Sequence, residues 1–118
     1  MEIITLDKTN SAASLTGFAS NVTGATWTLT TTTTDDTLSH KVTIKNDSAT
    51  DHSAKTADLV GTANGAAVTE TLALPAGSAT VTSVNYYETL TSVTPSASIG
   101  ADTMDIGWAA ASRSDWQA

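Results

Sequence analysis

Residues 55–77 read KTADLVGTANGAAVTETLALPAG, and this stretch decides the fold class. An apolar run, the dipeptide Asn64-Gly65 and a second apolar run form a hairpin pattern, because Asn and Gly both take the positive φ that a two-residue type I′ turn requires. Pro75 and Gly77 end the second strand: proline has no N–H for a ladder, and glycine favours a turn. Strands joined this tightly are antiparallel, since a parallel pair needs a crossover of about a dozen residues or more.

The same period of two runs outward in both directions. In LSHKVTIKN (38–46), Leu38, His40, Val42 and Ile44 point one way and Ser39, Lys41, Thr43 and Lys45 the other, which is a half-buried strand. Upstream, Trp27 and Leu29 alternate with Thr26, Thr28 and Thr30, and TTTTDD (31–36) supplies a hairpin turn or a longer loop. Downstream, SATVTSV, YYETLTSVTPSAS and DTMDIGW read as further short strands, the last with Met104, Ile106 and Trp108 on its apolar face. No segment carries a helical period. Threonine, stiff at its first torsion and suited to a pleated surface, makes up about a fifth of the chain. The expectation is an all-β protein, an antiparallel β-sandwich or compact barrel of about seven or eight short strands. Its body spans residues 25–108, with an N-terminal strand and arm at 1–24 and a C-terminal tail at 109–118.

Charge and composition exclude several functions. Five basic residues against twelve acidic ones, net −7, repel nucleic acid. The apolar runs fall far short of the roughly 20 residues a membrane helix needs, and MEIITLDKTN lacks the regions of a signal peptide, so a soluble, unsecreted chain is expected. Without cysteine there is no disulfide, thiolate metal site or cysteine nucleophile.

The segment DDTLSHKVTIKNDSATDHSAKT (35–56) holds both histidines, and its chemistry needs weighing. His40 shares the inward register of its strand, which points to a core-edge imidazole bonded to backbone. His52 lies among Asn46, Asp47, Ser48, Asp51 and Ser53, residues that build turns through side-chain to backbone bonds. Asp47, Asp51 and His52 lack the alternating oxygens and central glycine of a calcium loop, and the histidines lack zinc spacing. No serine sits in a G-x-S-x-G elbow, no glycine cluster resembles a phosphate loop, and Glu70 and Glu88 fall on separate strands. Asn21-Val22-Thr23 matches a glycosylation acceptor by a motif short enough to arise by chance. No enzyme, no metal and no cofactor is expected.

Recognition through surfaces remains. The terminal arms are candidates for docking on a neighbouring subunit, and Phe18, Tyr86, Tyr87 and Trp116 are the aromatic docking candidates. LSHKVTIKNDSATDHSAKT, GTANGAAVTETLALPAGSATVTS and YYETLTSVTPSASIGADTMDIGW together resemble a set of small β proteins encoded among the structural genes of tailed bacteriophages. The shared order is a His and Val strand, an Asn-x-Ser turn, a Gly-Thr-x-Ala-Asn-Gly hairpin, a Thr-Glu-Thr strand, Pro-x-Gly, Leu-Thr-Ser-Val and a closing Gly-Trp, spanning residues 35–108.

The resemblance implies a virion component assembled in the host cytoplasm, a head decoration or cement protein bound to the major capsid protein. A role among the head-tail neck proteins is the alternative. A homo-oligomer, with a trimer as one form, would suit either place, and no membrane or nucleic acid is a partner. A carbohydrate-binding sandwich for host adhesion is a third reading, weakened because adjacent Tyr86 and Tyr87 face opposite sides of a strand.

Overall fold

The structure, a computed structural model, describes residues 12–36, 38–63 and 65–113, with side chains as far as Ala110. Seven strands lie among these residues: β1 (Ser14–Thr23), β2 (Ser39–Asn46), β3 (Thr56–Ala63), β4 (Ala66–Ala73), β5 (Thr80–Tyr87), β6 (Thr89–Pro95) and β7 (Thr103–Arg113). They form two antiparallel sheets, ordered β1-β7-β2-β5 and β4-β3-β6. The protein is all-β, and its two separate sheets make it a sandwich.

Period-two patterning places the core between the sheets. Val42 and Ile44 of β2 and Met104, Ile106 and Trp108 of β7 face Ala57 and Leu59 of β3, and Leu90 and Val93 of β6 join them in one buried cluster. Each large aliphatic side chain buried this way contributes about 1.5–3 kcal/mol. The hairpin at 55–77 forms as its pattern requires: β3 and β4 pair without a break from Thr56↔Ala73 to Ala63↔Ala66, and Gly65 has φ +76°. Asn64 lies outside the described residues. The chain passes from one sheet to the other through Glu88, whose N–H donates to Thr62 O at 2.7 Å. That corner requires Gly61, because a Cβ there would stand 2.0 Å from Thr89 O.

Four features differ from the sequence expectation. The sheet does not begin after residue 24: β1 pairs with β7 and buries Phe18, Ala19 and Val22. Bulges between Ser14 and Ala19 and between Ala19 and Val22 break its alternation, so its apolar residues show no period of two. Residues 26–30 form no strand. Trp27 is buried as part of a long connection, its indole N–H donating to Gly24 O at 3.2 Å. β5 continues through the expected Asn-Tyr-Tyr break, and β7 continues past residue 108 to Arg113, both held by pairing with β2. The expected strand EIITL, residues 2–6, lies outside the described residues.

The two sides of the sandwich close differently. On one side the 24–38 connection spans the sheets: Thr30 and Thr31 donate to Phe18 O on β1, and Leu90 N–H of β6 donates to Thr32 O. On the other side β4 and β5 meet along a seam that a carboxylate holds together.

Candidate functional site

The histidines are absorbed by the fold. His40 is 1% exposed; its Nδ1 donates to Ala109 O at 2.7 Å and its Nε2 faces the Asp36 carboxylate at 2.9 and 3.0 Å. A carbonyl oxygen only accepts, so Nδ1 donates there, and Nε2 is the nitrogen left to pair with Asp36. Asp36 Oδ1 also accepts from Leu38 N–H and Thr34 Oγ1, which ties the pair to the turn that launches β2. No ring nitrogen remains to act on a substrate.

His52 bridges two loops at the opposite end of β2. Its Nδ1 receives Lys55 Nζ at 3.2 Å and its Nε2 meets Asp102 Oδ2 at 3.0 Å. An ammonium only donates, so Nδ1 accepts and Nε2 holds the proton given to Asp102. That bond keeps the Asp102 carboxyl below its ordinary value, and Ser53 does the same for Asp51. Asn46 pins the same loop: its Nδ2 donates toward Thr50 O, Ala76 O and Pro75 O, and its Oδ1 accepts from Ser48 N–H and Oγ. Asn46, Ser48 and Asp51 bond turn amides as expected, whereas the Asp47 carboxylate is held by Lys45 Nζ and Thr103 Oγ1. Among the described residues, no three His, Asp or Glu side chains converge.

The seam between β4 and β5 is different, because it holds a side chain out. β5 carries two extra residues opposite β2, between Thr82↔Thr43 and Tyr86↔Lys41. Ser83 fills the gap: its Oγ accepts Val42 N–H at 2.8 Å and donates to Asn85 O at 2.7 Å. From the other sheet Glu70 reaches across, Oε2 accepting Val84 N–H at 3.0 Å and Oε1 accepting Asn85 N–H at 3.0 Å and the Tyr87 hydroxyl at 2.9 Å. Anchored from both sides, the bulge presents Val84 to solvent at 76% exposure. Val84 stands at the rim of an open groove of about 510 Å³ lined by Ala63, Ala67, Val68, Thr69, Asn85 and Tyr86.

The aromatic docking candidates separate on this geometry. Phe18 is 1% exposed and meets the Trp108 ring edge-on at 5.1 Å, so it is a core residue. Tyr87 is fully buried with its hydroxyl on Glu70, so it offers no face to a partner either. Both corrections follow from parity: the bulges turn Phe18 inward, and Tyr87 keeps the inward register of β5. Tyr86 is half-buried at the groove, with Lys41 Nζ 5.4 Å from its ring centroid, a cation–π approach. Trp116 lies outside the described residues.

Sequence reading missed Val84, Ser83 and Glu70 as one unit. A trace was there, since polar Ser83 and Asn85 occupy the inward parity of β5 while apolar Val84 falls outward. No family model, curated protein or solved structure matches the chain.

Proposed function

We propose that the chain is a structural component of a tailed-bacteriophage particle. In this reading it is a homo-oligomeric head decoration or cement protein that binds the shell of the major capsid protein and acts without catalysis or a cofactor. One observation carries the reading beyond the sequence resemblance. The ionisable side chains best suited to chemistry, His40, His52 and Glu70, end on partners within the fold, while Val84 is held outward beside a groove. What such a block offers is surface.

The physical role follows from that. A ligand that binds only the mature lattice lowers that state's free energy by mass action, and many copies on a symmetric shell let modest contacts add. Net charge −7 suits basic patches on the shell and opposes self-aggregation.

Purified protein added to mature shells lacking it tests the reading. Saturable binding with a rise in the shells' resistance to heat or chelators is expected; shells that neither bind it nor gain resistance refute it. A virion count of about six or twelve copies, in place of the hundreds a decorated shell carries, would move the protein to a closed ring at the neck. Glycan-array binding lost on Tyr86→Ala at unchanged stability would replace the reading with the carbohydrate-binding one.

A further inference from the structure

We infer that β4 is a strand-addition site for an extended segment of the partner, one that alternates apolar and basic side chains. Four strands, β1, β5, β4 and β6, form the sheet edges among the described residues. Unpaired edges template the addition of another strand, and natural sheets blunt them with bulges, proline, charge or a covering segment. Three of the four edges here are blunted. β1 has two bulges and a left-handed Asn21, φ +56°, and Thr30 and Thr31 donate to it. β6 is covered where Leu90 N–H meets Thr32 O and Thr33 pairs with Thr89, and it ends in Pro95. β5 is bulged, and Glu70 caps the N–H groups of Val84 and Asn85.

β4 carries one charge, Glu70, but that carboxylate is turned onto Val84, Asn85 and Tyr87 of β5, and the strand has no bulge and no proline. Its eight residues pair with β3 in unbroken register, include no proline or lysine, and among the described residues no hydrogen bond reaches its outer backbone groups. A strand laid along it would form main-chain bonds and drop alternate side chains into the groove bounded by Val68, Val84 and Tyr86. Its other side chains would lie on the outer sheet face beside Thr69 and Thr71, one strand from Asp58.

Charge selects the occupant. Glu70 on the seam and Asp58 on the outer face are acidic, Lys41 over Tyr86 is the nearby cation, and the whole chain carries −7. A second copy's β4 paired about a twofold centred on Glu70 would set two carboxylates directly opposite, which destabilises paired strands, and in any register the second copy brings the same net charge of −7. A segment bearing lysine or arginine between apolar residues fits the edge and the field. That it belongs to the shell protein rests on the function proposed above; the open edge does not.

Hydrogen exchange over residues 66–73 tests this with synthetic hexapeptides as probes. A valine–lysine alternating peptide is expected to slow exchange there at least about tenfold, as paired amides slow relative to open ones. A valine–glutamate peptide and a valine–lysine peptide interrupted by proline are expected to leave it unchanged. Ala67→Lys, which fills the groove and adds a charge of the peptide's own sign, abolishes the effect; Val84→Lys is the second variant should Ala67→Lys fail to fold. Unchanged exchange with every peptide overturns the inference, as does protection that rises with protein concentration alone, which would make a second copy the occupant. Undiminished binding of folded Ala67→Lys to mature shells also overturns it while leaving the decoration role intact. Peptide protection of β4 in a protein that binds no shells sinks the decoration role and leaves the edge standing.

Discussion

Glu70→Ala should loosen the β4–β5 seam by an amount set by three hydrogen bonds lost together. Val84 is exposed, so its amide turns to water at a cost of about 0.5 kcal/mol, and the half-buried Asn85 amide costs about 1 kcal/mol. The Tyr87 hydroxyl belongs to a fully buried residue, and leaving it unpaired costs about 1–3 kcal/mol. Together these give about 2.5 to 4.5 kcal/mol, which moves the urea midpoint by roughly 2 M at the slope usual for a chain of this size.

Two further variants apportion the loss. Glu70→Gln retains an oxygen for Asn85 and Tyr87 and turns an amide nitrogen toward Val84 N–H, so it should cost about 1 kcal/mol. In the Glu70→Ala background, Tyr87→Phe removes the stranded hydroxyl, and a double-mutant cycle should return a coupling of about 1–2 kcal/mol. A Glu70→Ala protein within about 0.5 kcal/mol of wild type, the range of an ordinary surface change, or a cycle that closes additively, refutes the seam argument.

Other expectations follow from the same geometry. Phe18→Ala should cost about 3–5 kcal/mol in equilibrium denaturation, as removal of a core aromatic does, whereas a docking residue would leave stability unchanged. Burial, with the hydrogen bond and charge of Glu70, pushes the Tyr87 phenol above its ordinary value near 10, so the folded state holds that proton more tightly than the unfolded chain. Its contribution is complete below pH 10 and is lost as pH rises beyond, so stability measured by urea denaturation between pH 9 and 11 should fall more steeply for wild type than for Tyr87→Phe. Asp102, held below its ordinary value chiefly by His52, contributes stability above about pH 4 that disappears as pH falls further, so the advantage of wild type over Asp102→Asn should shrink between pH 5 and 3.

How much of this was legible in the chain depends on whether parity survived. The apolar alternation of β2, β3 and β7 marks the core correctly, with Val42, Ile44, Ala57, Leu59, Met104, Ile106 and Trp108 all buried, although Ser39, Thr43 and Asp105 on the other parity are covered as well. β1 was illegible for a physical reason. Its buried apolar residues, Phe18, Ala19 and Val22, are spaced by one and then three, because the pairing with β7 is irregular on both sides of Ala19. The partner of His52 was hidden differently: Asp102 lies fifty residues away on another loop, and no local spacing encodes a contact made by the packing of sheets.

The irregular positions are also where the surface is made. A regular edge strand leaves its spare N–H groups to water or to any passing strand, but in β5 Ser83 and Glu70 take over bonds that a backbone neighbour would supply. Because those bonds come from side chains on both sheets, Val84 stays outward with its own amide and those of Asn85 and Val42 paired. The break in alternation that obscures β5 in the sequence therefore closes its own edge, displays an apolar side chain beside the groove, and leaves β4, whose pattern is regular throughout, as the strand still able to take a partner.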